Sequence, residues 1–471
     1  MSATVGIVAF VASIVLAIVI HEAGHLVSAK LTGMRADRFF VGFGPTLLST
    51  RRGETEYGLK AVLLGGYVRI IGMGDDDELQ PPLVDALPVV RDEEDARRWW
   101  SALDAELAHR GTPIELAHRI RDTTRGLTPA PEHVALRDAL ERALHLELPA
   151  STRVGDVTHR LLRGDEGRRY ADRPAWQRVA VVALGPFTHL IIAFVLLATV
   201  LAAWPQPTGG LTGSVAFVRE GSPADRAGIA AGDVLVAVDD VTSEDFLVLR
   251  DALRERPGVA TILAVERAGE RLLLDVVPEP VVTDDGVQIG VIGIATEPEL
   301  RDLGLGEAVV GAAVGEPGPG SPGGVLPMVE ESVAGLVRIL SPSGLSDLVA
   351  QALGREERAP DGAVSLVGAA SLAGQVGARE GGLPVVLTLL AAINVFFFLF
   401  NLLPLPPFDG GHLAVVAVES AVNGVRRLRG RVADYRVRPE AIAGIAIPVI
   451  AVLALLLVTT LWLDLTDPIR L

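Results

Sequence analysis

The chain of 471 residues contains no cysteine. That absence removes disulfides, thiolate metal ligands and a cysteine nucleophile together. Lysine is nearly missing as well, occurring only at Lys30 and Lys60, with arginine supplying the other basic residues in the manner of a GC-rich coding sequence. Nor does the sequence carry a clustered basic face. With a formal net charge of −16 it has no means of neutralising a phosphate backbone, and a nucleic-acid partner is not expected.

Hydrophobic residues make up 49% of the chain and charged residues 21%, with a mean hydropathy of +0.40. Such a chain is too apolar for a soluble enzyme and too charged to lie wholly in a membrane, so it should combine spans with aqueous parts. Four runs, residues 3–20, 179–203, 383–403 and 441–463, are long enough to cross a hydrocarbon core of roughly 30 Å at about 1.5 Å per residue. A cleaved signal peptide is the competing reading of the first run, but a basic n-region is missing and cleavage would discard the motif that follows. Short basic stretches mark the cytosolic side: Lys30, Arg35, Arg38, Arg51 and Arg52 follow the first run, and Arg426, Arg427, Arg429, Arg431, Arg436 and Arg438 separate the third from the fourth. Both place the termini outside and these two connections in the cytosol. The expected fold class is a polytopic α-helical membrane protein of about four transmembrane helices, in the cytoplasmic membrane.

At the end of the first run stands His21-Glu22-Ala23-Gly24-His25. On a helix, histidines four residues apart share a face about 6 Å apart along the axis, so their imidazoles can converge on one metal ion. The glutamate between them can serve as base toward a water at that metal. Two histidines with no metal are the alternative. At the corresponding end of the third run, Asn401-Leu402-Leu403-Pro404-Leu405-Pro406-Pro407-Phe408-Asp409-Gly410-Gly411-His412 interrupts the helix with its prolines. Taken alone, Asp409 is a solvated cap. By the parity of the spans it lies at the same cytosolic depth as His25, and two histidines plus a carboxylate are a common ligand set for catalytic zinc, of which one ion per chain is expected.

With these paired motifs and a PDZ-like segment between them, the sequence resembles the site-2 proteases, the intramembrane zinc metalloproteases of peptidase family M50. The likeness is greatest to actinobacterial members that release sigma factors by cutting membrane-bound anti-sigma factors. It covers residues 1–73 and 170–471, and includes Phe40-Val41-Gly42-Phe43-Gly44-Pro45, Val364-Ser365-Leu366-Val367-Gly368-Ala369 and the terminal Leu465 to Leu471. The resemblance implies proteolysis within or near the membrane-spanning segments of single-span proteins, after a prior outer cleavage. The family commonly carries Gly-Pro-x-x-Asn in its second span, near the zinc. Here the stretch reads Gly185-Pro186-Phe187-Thr188-His189. His189 is then an oxyanion donor, a neutral neighbour, or a further zinc ligand that would close the open coordination position. Asn401 matches the family residue that helps to hold substrate, or else packs beside the prolines. Asn394, polar within the third run, should satisfy itself on a neighbouring helix.

The organisation expected from the sequence begins with a first span, zinc motif and membrane-associated β region at 1–73 and a cytosolic helical insertion at 74–172. A second span at 173–205 leads to an extracytoplasmic PDZ domain at 206–281, in which 221–239 reads as a short helix, a glycine turn and a strand, and to a linker at 282–380 whose residues 325–340 form an amphipathic helix or an ordinary packed one. The third span with the zinc aspartate occupies 381–423, and a basic loop with the fourth span occupies 424–471. Glu56 to Ile70 is strand-like and glycine-interrupted; in the family the matching piece dips into the membrane, where its edge can pair with an unwound substrate or simply plug the site. The PDZ part can bind a peptide or the substrate's outer portion, or act as a spacer. The insertion, helix-like at 99–109 and 134–145, is a partner-binding module or a cover over the cytosolic mouth, and its five histidines lack ligand spacing. A second function class is a catalytically inactive PDZ-bearing membrane scaffold with structural zinc. A secondary transporter would need an inverted repeat that is not found here.

Overall fold

The computed structural model describes residues 3–73, 87, 93–109, 112, 117–118, 120–122, 165, 167–283, 286–318, 321–358, 363–379 and 381–468. The chain forms two compact units, Met1–Leu196 with Met328–Leu471, and Leu197–Pro327.

The first unit opens with α1 (Ala3–Leu31), whose 29 residues extend about 43 Å. The apolar run therefore continues as helix straight through the His-Glu-x-x-His motif. Next come β1 (Ala36–Arg52) and β2 (Thr55–Ile70), antiparallel and joined at a tight turn. Their register is doubled: Phe40 pairs with both Tyr67 and Gly58, while Gly58 also pairs with Ser49. Each strand is thus folded on itself, giving four segments in the order 46–52, 55–62, 36–43, 66–70. The folds fall where Gly42, Gly44 and Gly65 have φ of 89°, 85° and 111°, a region that side-chain-bearing residues rarely enter. The segment from Gly66 to Ile70 is left as an outer edge.

The helix expected over 99–109 is α2 (Glu93–His109), which buries Trp99, Leu103 and Leu107 at helical spacing. A second helical stretch expected at 134–145 lies outside the described residues. Helix α3 (Ala175–Ala203) carries the second apolar run.

The second unit contains β3 (Gln206–Val218), α4 (Pro223–Arg226), β4 (Val234–Val238), β5 (Val241–Thr242), α5 (Phe246–Arg254), β6 (Thr261–Arg267), β7 (Glu270–Val276), β8 (Glu279–Val282), β9 (Gln288–Val291), β10 (Ile294–Arg301) and α6 (Leu305–Val314). Its main sheet runs β10-β3-β4-β6-β7, with β5 on β4. Leu235, Val238, Leu249, Leu263, Val265 and Ile292 form the core beneath α5. The short helix, glycine turn and strand read from residues 221–239 are α4 and β4. A domain limit at 281 is too early, however. β10 pairs antiparallel with β3 from Ile294↔Val218 to Arg301↔Gln206, so residues expected in a linker complete the sheet. A groove of about 320 Å³ runs between α5 and the β9–β10 segment, lined among others by Phe246, Arg250, Leu253, Ile294 and Thr296.

Arg267 fixes this unit at the start of β4. Its Nε and Nη2 donate to Asp233 Oδ1 and Oδ2 at 2.6 and 2.7 Å, and Ala230 N–H adds a third bond at 2.9 Å. The Arg267 guanidinium holds the buried Asp233 carboxyl below the usual carboxylate range, against the opposing effect of burial. A carboxyl whose folded pKa is depressed contributes its full stability above the ordinary value near 3.9, and loses it as pH falls through the lowered folded value. Asp233→Asn is therefore expected to weaken amide-exchange protection of β4 and β6 at neutral pH, with the difference from the unsubstituted protein narrowing as pH falls below the ordinary carboxyl value. A difference that persists in acid would assign the effect to packing instead of charge.

The first unit resumes with α7 (Val325–Leu340) and α8 (Pro342–Ala352), bent by 70° at their junction. The amphipathic helix expected over 325–340 has those limits, and α8 was not foreseen. Then follow α9 (Leu366–Gly377), α10 (Gly382–Asn401), α11 (Asp409–Leu428) and α12 (Pro439–Thr466). Among the described residues α1, α3, α10 and α12 are long and apolar enough to cross a membrane. Helix α10 stops at Asn401, ahead of Pro404, Pro406 and Pro407, none of which has an N–H to continue it. The 364–369 segment singled out in the sequence meets the end of α12, just ahead of 465–468, the described part of the terminal segment. Asp464 accepts from Arg358 at 2.5 Å and from the N–H of Ser365 at 2.7 Å, while the Ser365 hydroxyl caps α9.

Candidate metal centre

Three apolar helices and one loop build the site. On α1, His21, Glu22 and His25 are each only 9% exposed. Helix α3 crosses α1 closely: a Cβ on Gly24 would lie 3.0 Å from the Leu184 carbonyl oxygen, and one on Gly185 would collide with the His25 ring. This closeness brings His25 Nδ1 to the Val181 carbonyl at 2.9 Å. A carbonyl only accepts, so Nδ1 carries the proton and Nε2 of the neutral ring is a lone pair. Gly185→Val should push the His25 ring away and cut both activity and zinc retention at least about tenfold, with the helical content of the spans unchanged by circular dichroism. Unimpaired zinc retention would mean that the ring has another place to go.

Asp409 begins α11, where the chain turns back after the prolines. A Cβ on Gly411 would meet Pro406 N at 2.7 Å, and one on Gly410 would collide with the backbone of Leu402 and Leu403. Only glycines let the helix start this tightly under the loop. Further along α11, Glu419 accepts from Arg178 of α3 at 2.8 Å, from Arg436 at 3.0 Å and from the Val437 N–H at 3.0 Å. Burial would lift the Glu419 carboxyl, but these donors, Arg178 foremost, hold it below the usual range. The pair is buried on both sides, so losing one partner would strand a charge. That ion pair ties α11, and Asp409 with it, to α3.

The result is a nearly equilateral triangle of donors. His21 Nε2 and His25 Nε2 are 3.2 Å apart, and each lies 3.2 Å from Asp409 Oδ2. The lone pair of His25 Nε2 thus faces a carboxylate oxygen, a contact between two acceptors that a cation between them resolves. Donors about 2.0–2.1 Å from one tetrahedral ion stand roughly 3.3–3.4 Å apart, which these spacings match. Among the described residues, these three are the group able to hold a metal ion.

Glu22 sits between the histidines under the outer edge of the small sheet. It accepts a hydrogen bond from the Val68 N–H, and a Cβ on Gly66 would come within 2.9 Å of its Cγ. His189 of α3 is 2% exposed. Its ring centroid is 5.0 Å from that of His21, and it is not part of the donor triangle. Asn394 of α10 does reach a neighbouring helix, with Oδ1 2.9 Å from His189 Nδ1. Asn401, half-buried at the end of α10, also lies outside the triangle. Sequence reasoning missed the Val181 carbonyl and the Val68 N–H, since backbone groups leave no mark in composition. It also passed over His412, one turn beyond Asp409, whose imidazole burial holds below its usual pKa.

Fold and site together define a multi-pass membrane metalloprotease with a buried His-Glu-x-x-His motif. The model of peptidase family M50 matches residues 9–438, and the chain belongs to that family, the site-2 proteases. Zinc metalloprotease Rip1 of Mycobacterium tuberculosis (strain ATCC 25618 / H37Rv) is 31% identical over 490 residues, covering 99% of this chain and 98% of that protein. Rip1 of Mycolicibacterium smegmatis is 28% identical over 496 residues with the same coverage. A putative zinc metalloprotease of Agrobacterium fabrum, Atu1380, is 28% identical over 423 residues, 89% of this chain and 87% of its own length. The protein is accordingly a zinc metalloprotease, with zinc as its cofactor.

Proposed function

We propose that this protease hydrolyses peptide bonds within or near the transmembrane segment of single-span proteins of the anti-sigma-factor kind, after another protease has shortened their outer portion. The observation that carries the reading is Glu22, a carboxylate beside three converging metal donors and beneath an open strand edge. His21, His25 and Asp409 hold one zinc ion per chain. Zinc supplies Lewis acidity that makes water nucleophilic near neutral pH and polarises a carbonyl. Glu22 takes the proton from the attacking water and later delivers it to the leaving amine. Asn401 helps to hold the substrate near Asp409.

A helical substrate hides its carbonyls in its own hydrogen bonds, so it must be unwound before attack. The 66–70 segment, next to Glu22, is an outer strand of the small sheet, onto which an extended segment can add. The 197–327 unit acts as a PDZ domain outside the cytoplasmic membrane, taking a peptide strand along the free edge of β10 and the groove beside α5. By the basic-loop rule the zinc site faces the cytosolic side.

The test is the purified protein in proteoliposomes with a single-span protein whose outer domain has been pre-trimmed, the products being mapped by mass spectrometry. Cuts inside or at the edge of the membrane segment are expected. Cuts confined to aqueous loops would overturn the reading.

A further inference from the structure

We propose that His189 accepts a hydrogen bond at the site instead of donating one, and that the group it takes is a backbone N–H of the unwound substrate. The substrate half of this inference rests on the function proposed above. The tautomer follows from a chain of three contacts. The Leu390 carbonyl oxygen can only accept, so the Asn394 atom 2.8 Å from it is the amide NH2. The other end of that amide is therefore its oxygen, and it stands 2.9 Å from His189 Nδ1. An oxygen needs a donor there, so Nδ1 carries the hydrogen. A neutral imidazole has a single N–H, which leaves Nε2 as a lone pair.

This assignment separates the roles open to His189. An oxyanion donor needs N–H at the free nitrogen, and the free nitrogen has none. A fourth ligand would have to join the triangle of His21, His25 and Asp409, and His189 is not part of it. What remains is an acceptor beside that triangle, its ring packed 5.0 Å from His21 and 5.5 Å from Phe397. A peptide substrate brings two kinds of backbone polar group, and only the N–H can meet an acceptor. The second-span histidine and the third-span asparagine thus work as one unit, Asn394 fixing the tautomer and His189 positioning the strand.

Zinc-loaded protein labelled with 15N-histidine, in detergent micelles, tests the tautomer without any cleavage. Nitrogen–proton correlation spectra, with His189 identified by comparison with His189→Asn, should show hydrogen on Nδ1 and none on Nε2. Asn394→Leu should release that preference. Hydrogen on Nε2, or on both nitrogens, would overturn the proposal. The second arm measures kinetics on the single-span substrate. His189→Leu should raise KM about three- to tenfold with kcat within about twofold, and His189→Gln, whose side-chain oxygen also accepts, should recover most of the loss. A fall of about a hundredfold in kcat at unchanged KM would mark a transition-state donor and overturn the proposal, as would two unchanged constants. If the wild-type protein does not cleave this substrate, the function proposed above fails while the spectra still decide the tautomer.

Discussion

Glu22→Gln is expected to slow cleavage of a membrane-spanning substrate by about 10²–10⁴-fold, the range that a positioned general base contributes, while zinc stays bound. The substitution is nearly isosteric. Its amide oxygen can still accept from Val68 N–H, as the carboxylate does, so the sheet edge keeps its place. Only the capacity to take a proton is lost. None of the three metal donors is altered, and metal analysis should return about one zinc per chain in both proteins, as an intact set of three protein ligands predicts. Single-turnover rates in proteoliposomes are the measurement. Equal rates for the two proteins would remove Glu22 from the chemistry, and loss of zinc along with activity would recast it as a support for the ligands.

Asp409→Ala should have the opposite signature, with metal lost first and activity with it. Two histidines on one helix face remain, with their Nε2 atoms 3.2 Å apart, but a catalytic zinc site ordinarily needs three protein ligands. Occupancy is expected to fall from about one zinc per chain to below about a tenth after dialysis against a weak chelator. The Glu419 ion pair with Arg178 lies elsewhere on α11, so the helix should hold its position and the protein should purify as wild type does. Stoichiometric zinc in Asp409→Ala would take this residue out of the ligand set. His412, one turn further along the same helix, would then be the next candidate to substitute.

The two variants separate functions that stand side by side in the site, although Glu22 and Asp409 lie in different motifs of the sequence. One removes a base and spares the metal; the other removes the metal and spares the base. A protein that kept zinc for structure alone would lose nothing in Glu22→Gln.

Local sequence pattern determined much of this molecule. Uninterrupted apolar runs made the long helices, because a chain in hydrocarbon must satisfy its own backbone hydrogen bonds. Prolines 404, 406 and 407 ended α10, and the four-residue spacing of His21 and His25 put both on one helix face. Span parity pointed to Asp409 before any distance was known. Tertiary structure decided what depends on contact between distant segments. The 3.2 Å triangle exists because Gly24 and Gly185 let α1 and α3 approach, and because Glu419 binds α11 to α3. The doubled register that lays Gly66 to Ile70 over Glu22 could not be read from alternation, since both bent strands look like ordinary ones. β10 joined the main sheet of the second unit through pairing with β3, although its own sequence resembled a linker. The state of His189 was the furthest from view: three alternatives stood open on sequence, and a carbonyl on the next turn of α10, acting through Asn394, is what selects among them. Periodicity and motif spacing are local properties and survive in the sequence. Which lone pair faces which proton is set only when the helices meet.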